Sequence, residues 1–159
     1  MKFTILAIGK IKEKWMKAGI DEYVKRLTPV AKVDFIEHDE EKMPANPSAA
    51  MKEIVMEKEG EKLLKHLSDG DCAVLLDTGG KEISSEELAA WLQNKMVAGT
   101  GHFYFLIGGP YGNGDNLRRR ADFKISLGPM TFTHQMARLI LSEQLYRAMK
   151  IIRGEPYHL

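Results

Sequence analysis

HFYFLIGGPYGNG, residues 102–114, joins a short apolar run to a tract dominated by Gly and Pro. An apolar run with almost no polar alternation suits a strand covered on both faces. Its abrupt glycine-rich exit matters because open α/β sheets bind ligands at the carboxyl ends of their strands. Two further runs have the same character. CAVLLD (residues 72–77) is left through Thr78, Gly79 and Gly80, and FTILAIG (residues 3–9) stands near the N-terminus. KVDFIE (32–37) alternates like an outer strand, and the shorter FKISL (123–127) runs into GPMTFTH (128–134). Seven of the fourteen residues in 108–114 and 128–134 are Gly or Pro, types that allow close backbone approach or hold unusual turns.

Helical spacing fills the intervals. Met16, Ile20, Tyr23, Val24 and Leu27 form one apolar stripe that ends before Pro29. A Glu/Lys-rich helix follows, expected to be capped by Asn46 with Pro47 in its first turn. Ser84 and Glu87 have capping-box spacing ahead of Leu88, Trp91, Leu92 and Met96. A long helix is predicted from about Thr133 to Arg153, stopped by Gly154 with Pro156 beyond. Trp15, Met16, Trp91 and Met96 all fall at core spacing and suggest no cofactor role. The resulting order, β-α-β-α-β-α-β-loop-β-α, implies one α/β domain over residues 1–159, with a mostly parallel sheet and helices on both faces.

Composition narrows the function. The 159 residues carry 23 Lys+Arg against 22 Asp+Glu, a net charge of +1, which excludes a protein that holds nucleic acid by bulk charge alone. With 44% hydrophobic and 28% charged residues the chain is an ordinary globule and not a disordered or fibrous one. The lone cysteine, Cys72, excludes an intrachain disulfide and a Cys-rich zinc site, and no metal is expected. The six-residue apolar stretch near the N-terminus is too short for a signal peptide, and no run approaches a membrane span. A cytoplasmic protein without a membrane partner is the expectation.

Three glycine-rich strand exits suggest a pocket lined by backbone groups, against the simpler reading that glycines merely end strands. Gly109, Gly112 and Gly114 do not have the dinucleotide-fingerprint spacing, and no phosphate-binding Gly-Lys-Ser/Thr loop exists. His134, one helical turn before Arg138, is the best-placed titratable group. Glu143, Arg147 and Lys150 share a helix face, either as a surface ion pair or as a substrate contact. Arg118, Arg119 and Arg120, and Lys10, Lys12, Lys14 and Lys17, are basic runs that are either solvated surface or phosphate contacts, the latter sensitive to salt.

LLDTGGKEISSEELA (75–89), FLIGGPYG (105–112) and SLGPMTFTHQMARLILSEQLYRAMKIIRGEPYH (126–158) resemble the bacterial large-subunit ribosomal RNA pseudouridine N3-methyltransferases, small single-domain members of the SPOUT class. The likeness spans nearly the whole chain, including the opening MKFTILAIGK. It implies a C-terminal trefoil knot, with a cofactor-binding region over about residues 72–155, and S-adenosylmethionine as methyl donor. The cofactor contacts it implies are Leu76, Gly108, Leu127, Gly128, Pro129, Met130, Thr131 and Phe132, positions that coincide with the three exits. It also implies a homodimer with a shared pocket, acting on a pseudouridine of 23S rRNA in assembled ribosomes. His134, Tyr157 and His158 are the catalytic candidates; Arg138, Glu143 and Arg147 are the substrate-binding candidates. A non-catalytic ribosome-binding or assembly factor with the same fold is the alternative.

Overall fold

Side chains alternate across the first strand, and that alternation builds two cores. In the computed structural model, which describes residues 1–157, β1 (Lys2–Ile8) turns Phe3, Ile5 and Ala7 to one face and Leu6 and Ile8 to the other. The chain continues through α1 (Lys14–Leu27), β2 (Lys32–His38), α2 (Ala49–Leu64), β3 (Cys72–Glu82), α3 (Ser85–Val97), β4 (His102–Ile107), α4 (Asp115–Arg120), β5 (Phe123–Ser126) and α5 (His134–Ile152). The five strands lie in the order β2-β1-β4-β3-β5, and all their pairings are parallel.

Phe3, Phe103 and Phe105 pack on Leu27 of α1, Leu88 and Leu92 of α3, and Leu141 and Leu145 of α5. On the opposite face, Leu6, Leu75 and Leu106 meet Leu63 of α2 and Leu117 of α4. Full burial of each such side chain is worth about 1.5–3 kcal/mol, so both faces of the central strands contribute to stability. β2, at the edge, is only partly buried, which is why its sequence alternates while β1 and β4 do not.

Local signals mostly hold. The capping box forms: Glu87 N donates to Ser84 Oγ at 3.0 Å and Ser84 N donates to Glu87 Oε2 at 2.7 Å. Four expectations need correction. The cap of α2 is Ser48, whose Oγ accepts from Met51 N at 3.2 Å, and Asn46 stays in the preceding bend, too early to reach the first free amides. β3 does not end at Asp77; after a register shift between Leu76 and Lys81 it pairs again with β5 through Lys81 and Glu82. The stretch read as loop before β5 contains α4, so Arg118, Arg119 and Arg120 sit on a helical turn. Trp15 is 58% exposed because its neighbour Met16 takes the inward position, and adjacent helix residues point about 100° apart.

From β1 the chain leaves through α1 toward β2, whereas from the adjacent β4 it leaves through α4 toward β5. Divergent connections from neighbouring parallel strands open a crevice above their carboxyl ends.

Candidate functional site

A cleft of about 900 Å³ occupies that crevice. Its walls are Leu76 to Thr78 from β3, residues 107–113 from the end of β4 onward, residues 125–128 and 130–132 from the end of β5 onward, and the start of α5 from Thr133. Glu13 and Met16, at the start of α1, close the remaining side. A smaller hollow of about 390 Å³ lies against Leu127 and Gly128 too, lined also by Glu82, Ser85, Leu88 and Gln144. The loop after β5 therefore borders two cavities. Of the eight expected cofactor contacts, Leu76, Gly108, Leu127, Gly128, Met130, Thr131 and Phe132 line the cleft; Pro129 is exposed beside it.

Asp77 ties the β3 bulge to its neighbours. Its side chain is only 6% exposed and accepts from Asn113 Nδ2 at 2.9 Å and from Arg118 Nη2 at 3.2 Å. Burial alone would raise its pKa, but the hydrogen bonds from Asn113 and Arg118 outweigh it and hold the carboxyl below its ordinary value. Asn113 Nδ2 also donates to the Leu76 carbonyl at 2.8 Å. With both amide hydrogens directed at acceptors, Asn113 Oδ1 faces Gly108 and has no partner although it is enclosed. A Cβ at Gly108 would lie 2.2 Å from that oxygen and 3.0 Å from the Gly112 carbonyl. Backbone alone fits there, beside an acceptor that still lacks a donor.

His134 begins α5, with the hydroxyl of Thr133 capping the helix by accepting from Met136 N at 3.1 Å. The imidazole lines the cleft and is otherwise largely enclosed. Burial and the nearby Arg138 push it below the ordinary histidine value, while Glu40 opposes them, so the neutral ring is favoured at neutral pH. Arg138 is fully buried: Nη1 donates to Glu37 Oε2 at 2.6 Å and Nη2 to the Ile8 carbonyl at 2.7 Å.

Glu143, Arg147 and Tyr157 come together, but not at the cleft. Arg147 Nη2 donates to Glu143 Oε1 at 2.9 Å, Tyr157 Oη donates to the same oxygen at 2.8 Å, and the Arg147 guanidinium lies 3.9 Å from the Tyr157 ring centre. Burial and the Glu143 carboxylate push the Tyr157 phenol up to about 12. Lys150, on the same face, pairs instead with Glu155. His158 lies outside the described residues. In the basic runs, Arg118 serves Asp77 and Asp115, Arg120 serves Asp122 and the Ser68 and Asp71 carbonyls, and Lys17 serves Asp21. Arg119 is left on the surface.

Glu40, Asp77 and Asn113 were not singled out in the sequence, and Arg118 stood out only as part of a basic run, not as the partner of Asp77. Asp77 could have been, as the charged residue directly after a buried strand run; nothing local marks Glu40. Among the described residues no helix is long and apolar enough to cross a membrane, and no group of three or more His, Cys, Asp or Glu side chains is placed to hold a metal ion.

Residues 1–158 match the family described as "Predicted SPOUT methyltransferase". Proteins named "Ribosomal RNA large subunit methyltransferase H" are similar throughout: those of Alkaliphilus oremlandii, Carboxydothermus hydrogenoformans and Halothermothrix orenii are 52%, 50% and 50% identical over 158 residues, covering 99% of each chain. The loops that carry the resemblance are the ones that form the cleft, and with this end-to-end match the chain belongs to the SPOUT methyltransferase family.

Proposed function

We propose that this chain methylates N3 of a pseudouridine in the RNA of the large ribosomal subunit, within assembled ribosomes, using S-adenosylmethionine. The observation that carries this reading is the convergence of the β3 bulge and the exits of β4 and β5 on one cleft, with seven of the eight positions the resemblance implies for the cofactor lining it. When bound there, S-adenosylmethionine supplies a methyl group made electrophilic by its sulfonium. Leu76, Gly108 and residues 127–132 would hold it, mainly through backbone groups, with the unpartnered Asn113 Oδ1 beside Gly108 as a further acceptor. The residues' task is then alignment, exclusion of water and removal of one proton. His134, neutral and lining the cleft, accepts the imide proton of N3, and the nitrogen so exposed is the nucleophile. Arg138, spent on Glu37 and the Ile8 carbonyl, positions the His134 turn and does not reach out to RNA.

The Glu143–Arg147–Tyr157 cluster supports a homodimer. It is built, partly exposed, and absent from its own chain's cleft, so a second copy whose cluster meets the first copy's cleft completes the site, with Tyr157 and His158 as the tail. Exposed apolar side chains at Trp15, Met130 and Phe132 are surface such a copy would cover. The C-terminal trefoil knot belongs to the same reading. So does RNA contact through Arg119, Lys12 and Lys14, few enough that ribosome shape supplies most of the specificity.

Calorimetry with S-adenosylmethionine, followed by transfer of labelled methyl to ribosomes from a strain lacking this modification, tests the reading. One cofactor per chain and label at pseudouridine N3 of large-subunit RNA are expected. Absence of cofactor binding would leave the assembly-factor alternative; binding without labelled RNA would overturn the substrate. The cradle has its own test. Gly108→Ala places a methyl group against Asn113 Oδ1 and the Gly112 carbonyl, and a small overpacking cost of this kind should weaken S-adenosylmethionine binding about tenfold or more. Wild-type affinity in a folded Gly108→Ala protein would remove Gly108 from the site.

A further inference from the structure

We propose that Glu40 is a positioning residue for His134: it holds the hydrogen of Nε2 and so leaves Nδ1 as the proton acceptor toward the cleft. This rests on the reading of His134 as the base. His134 Nε2 is enclosed and makes no regular hydrogen bond, and Glu40 Oε1 stands 3.5 Å away. A ring nitrogen facing a carboxylate, with no donor beside it, carries the proton itself. Nδ1, which is not enclosed, then keeps its lone pair. Hydrogen bonds of catalytic groups are commonly long before substrate is bound.

The backbone is shaped around this pair. Gly9 follows β1 with φ +86°, and a Cβ there would lie 2.7 Å from His134 Nε2 and 3.0 Å from Glu40 Oε1. Its amide donates to the His38 carbonyl at 2.7 Å, which ties the end of β1 to the end of β2, two residues before Glu40. Only glycine allows that conformation and leaves room for imidazole and carboxylate to approach. The charged groups around the ring are Glu40 from the segment after β2 and Arg138 from α5, with Glu37 of β2 behind Arg138. Arg138 disfavours a proton on the ring and Glu40 favours it. The balance is that of a base neutral at rest whose conjugate acid is stabilised once the proton arrives.

Glu40→Gln, Glu40→Asp and His134→Ala, assayed as full chains on intact ribosomes, test this. Glu40→Gln should lower kcat roughly tenfold to a hundredfold, with S-adenosylmethionine affinity and KM for ribosomes within about twofold. Removing the group that favours the proton should also move the acid limb of the kcat profile to lower pH. Glu40→Asp should recover part of the rate, and Glu40→Gln added to His134→Ala should cost nothing more. An unchanged rate and acid limb in Glu40→Gln, with His134→Ala inactive, would overturn the role of Glu40 and leave the base in place. Wild-type turnover in His134→Ala would overturn the base reading itself. Nitrogen chemical shifts of the His134 ring in the unaltered protein need no variant to fold: the Nε2–H tautomer is expected, and Nδ1–H would sink the proposal.

Discussion

Arg138→Met should lower the unfolding free energy by about 3 kcal/mol, seen as a fall in Tm of roughly 6–12 °C for a domain of this size. Arg138 is a charged side chain with no exposure, and it joins three elements: α5 through its own backbone, β2 through Glu37, and the end of β1 through the Ile8 carbonyl. Methionine fills most of the volume but donates nothing, so the Ile8 carbonyl and the Glu37 carboxylate lose their shared donor. Glu37 keeps partial access to water and another bond, from Ile11 N at 2.9 Å, which places the cost at the lower end for a broken buried pair. Arg138→Lys retains charge but cannot span both acceptors and should lose less. Thermal melts read the series; an Arg138→Met protein with wild-type Tm would show that the bridge contributes nothing to the fold.

His134→Ala should lower kcat about 100- to 1000-fold while leaving S-adenosylmethionine affinity within about twofold. The ring lines the cleft but the expected cofactor contacts are other residues, so its loss falls on the chemical step and not on binding. In the unaltered enzyme activity should fail on the acid side, because the base must be unprotonated. Burial and Arg138 place that failure below the ordinary histidine value of about 6.5. In the alanine variant this limb should vanish and the residual rate should rise steadily with pH, as hydroxide takes over proton removal. Single-turnover methylation across pH checks both; a retained acid limb would assign it to a different group.

Strands, most helices and the cleft itself were legible because each depends on local or periodic features. Unbroken apolar runs mark β1, β3 and β4 as doubly covered, and the glycine-containing tracts after β4 and β5 mark where those two strands end in a ligand-sized opening. Errors arose where a distant partner decided a local choice. The β3 bulge continues past Gly80 because β5 supplies pairing for Lys81 and Glu82. Arg118 reads as one member of a charge run, yet Asp77, brought close by the β3–β5 pairing, takes up its guanidinium.

By its residue pattern alone this chain determined a parallel α/β sheet with helices on both faces and an opening beside the segments after β4 and β5, since periodicity, capping and glycine placement act over a few residues. Only the tertiary structure decided that Arg138 is buried, that Glu40 stands beside His134, and that Glu143, Arg147 and Tyr157 gather away from their own cleft. Charges meet through space. Which of them meet is set by how β1 and β2 dock against α5, and no spacing along the chain encodes that distance.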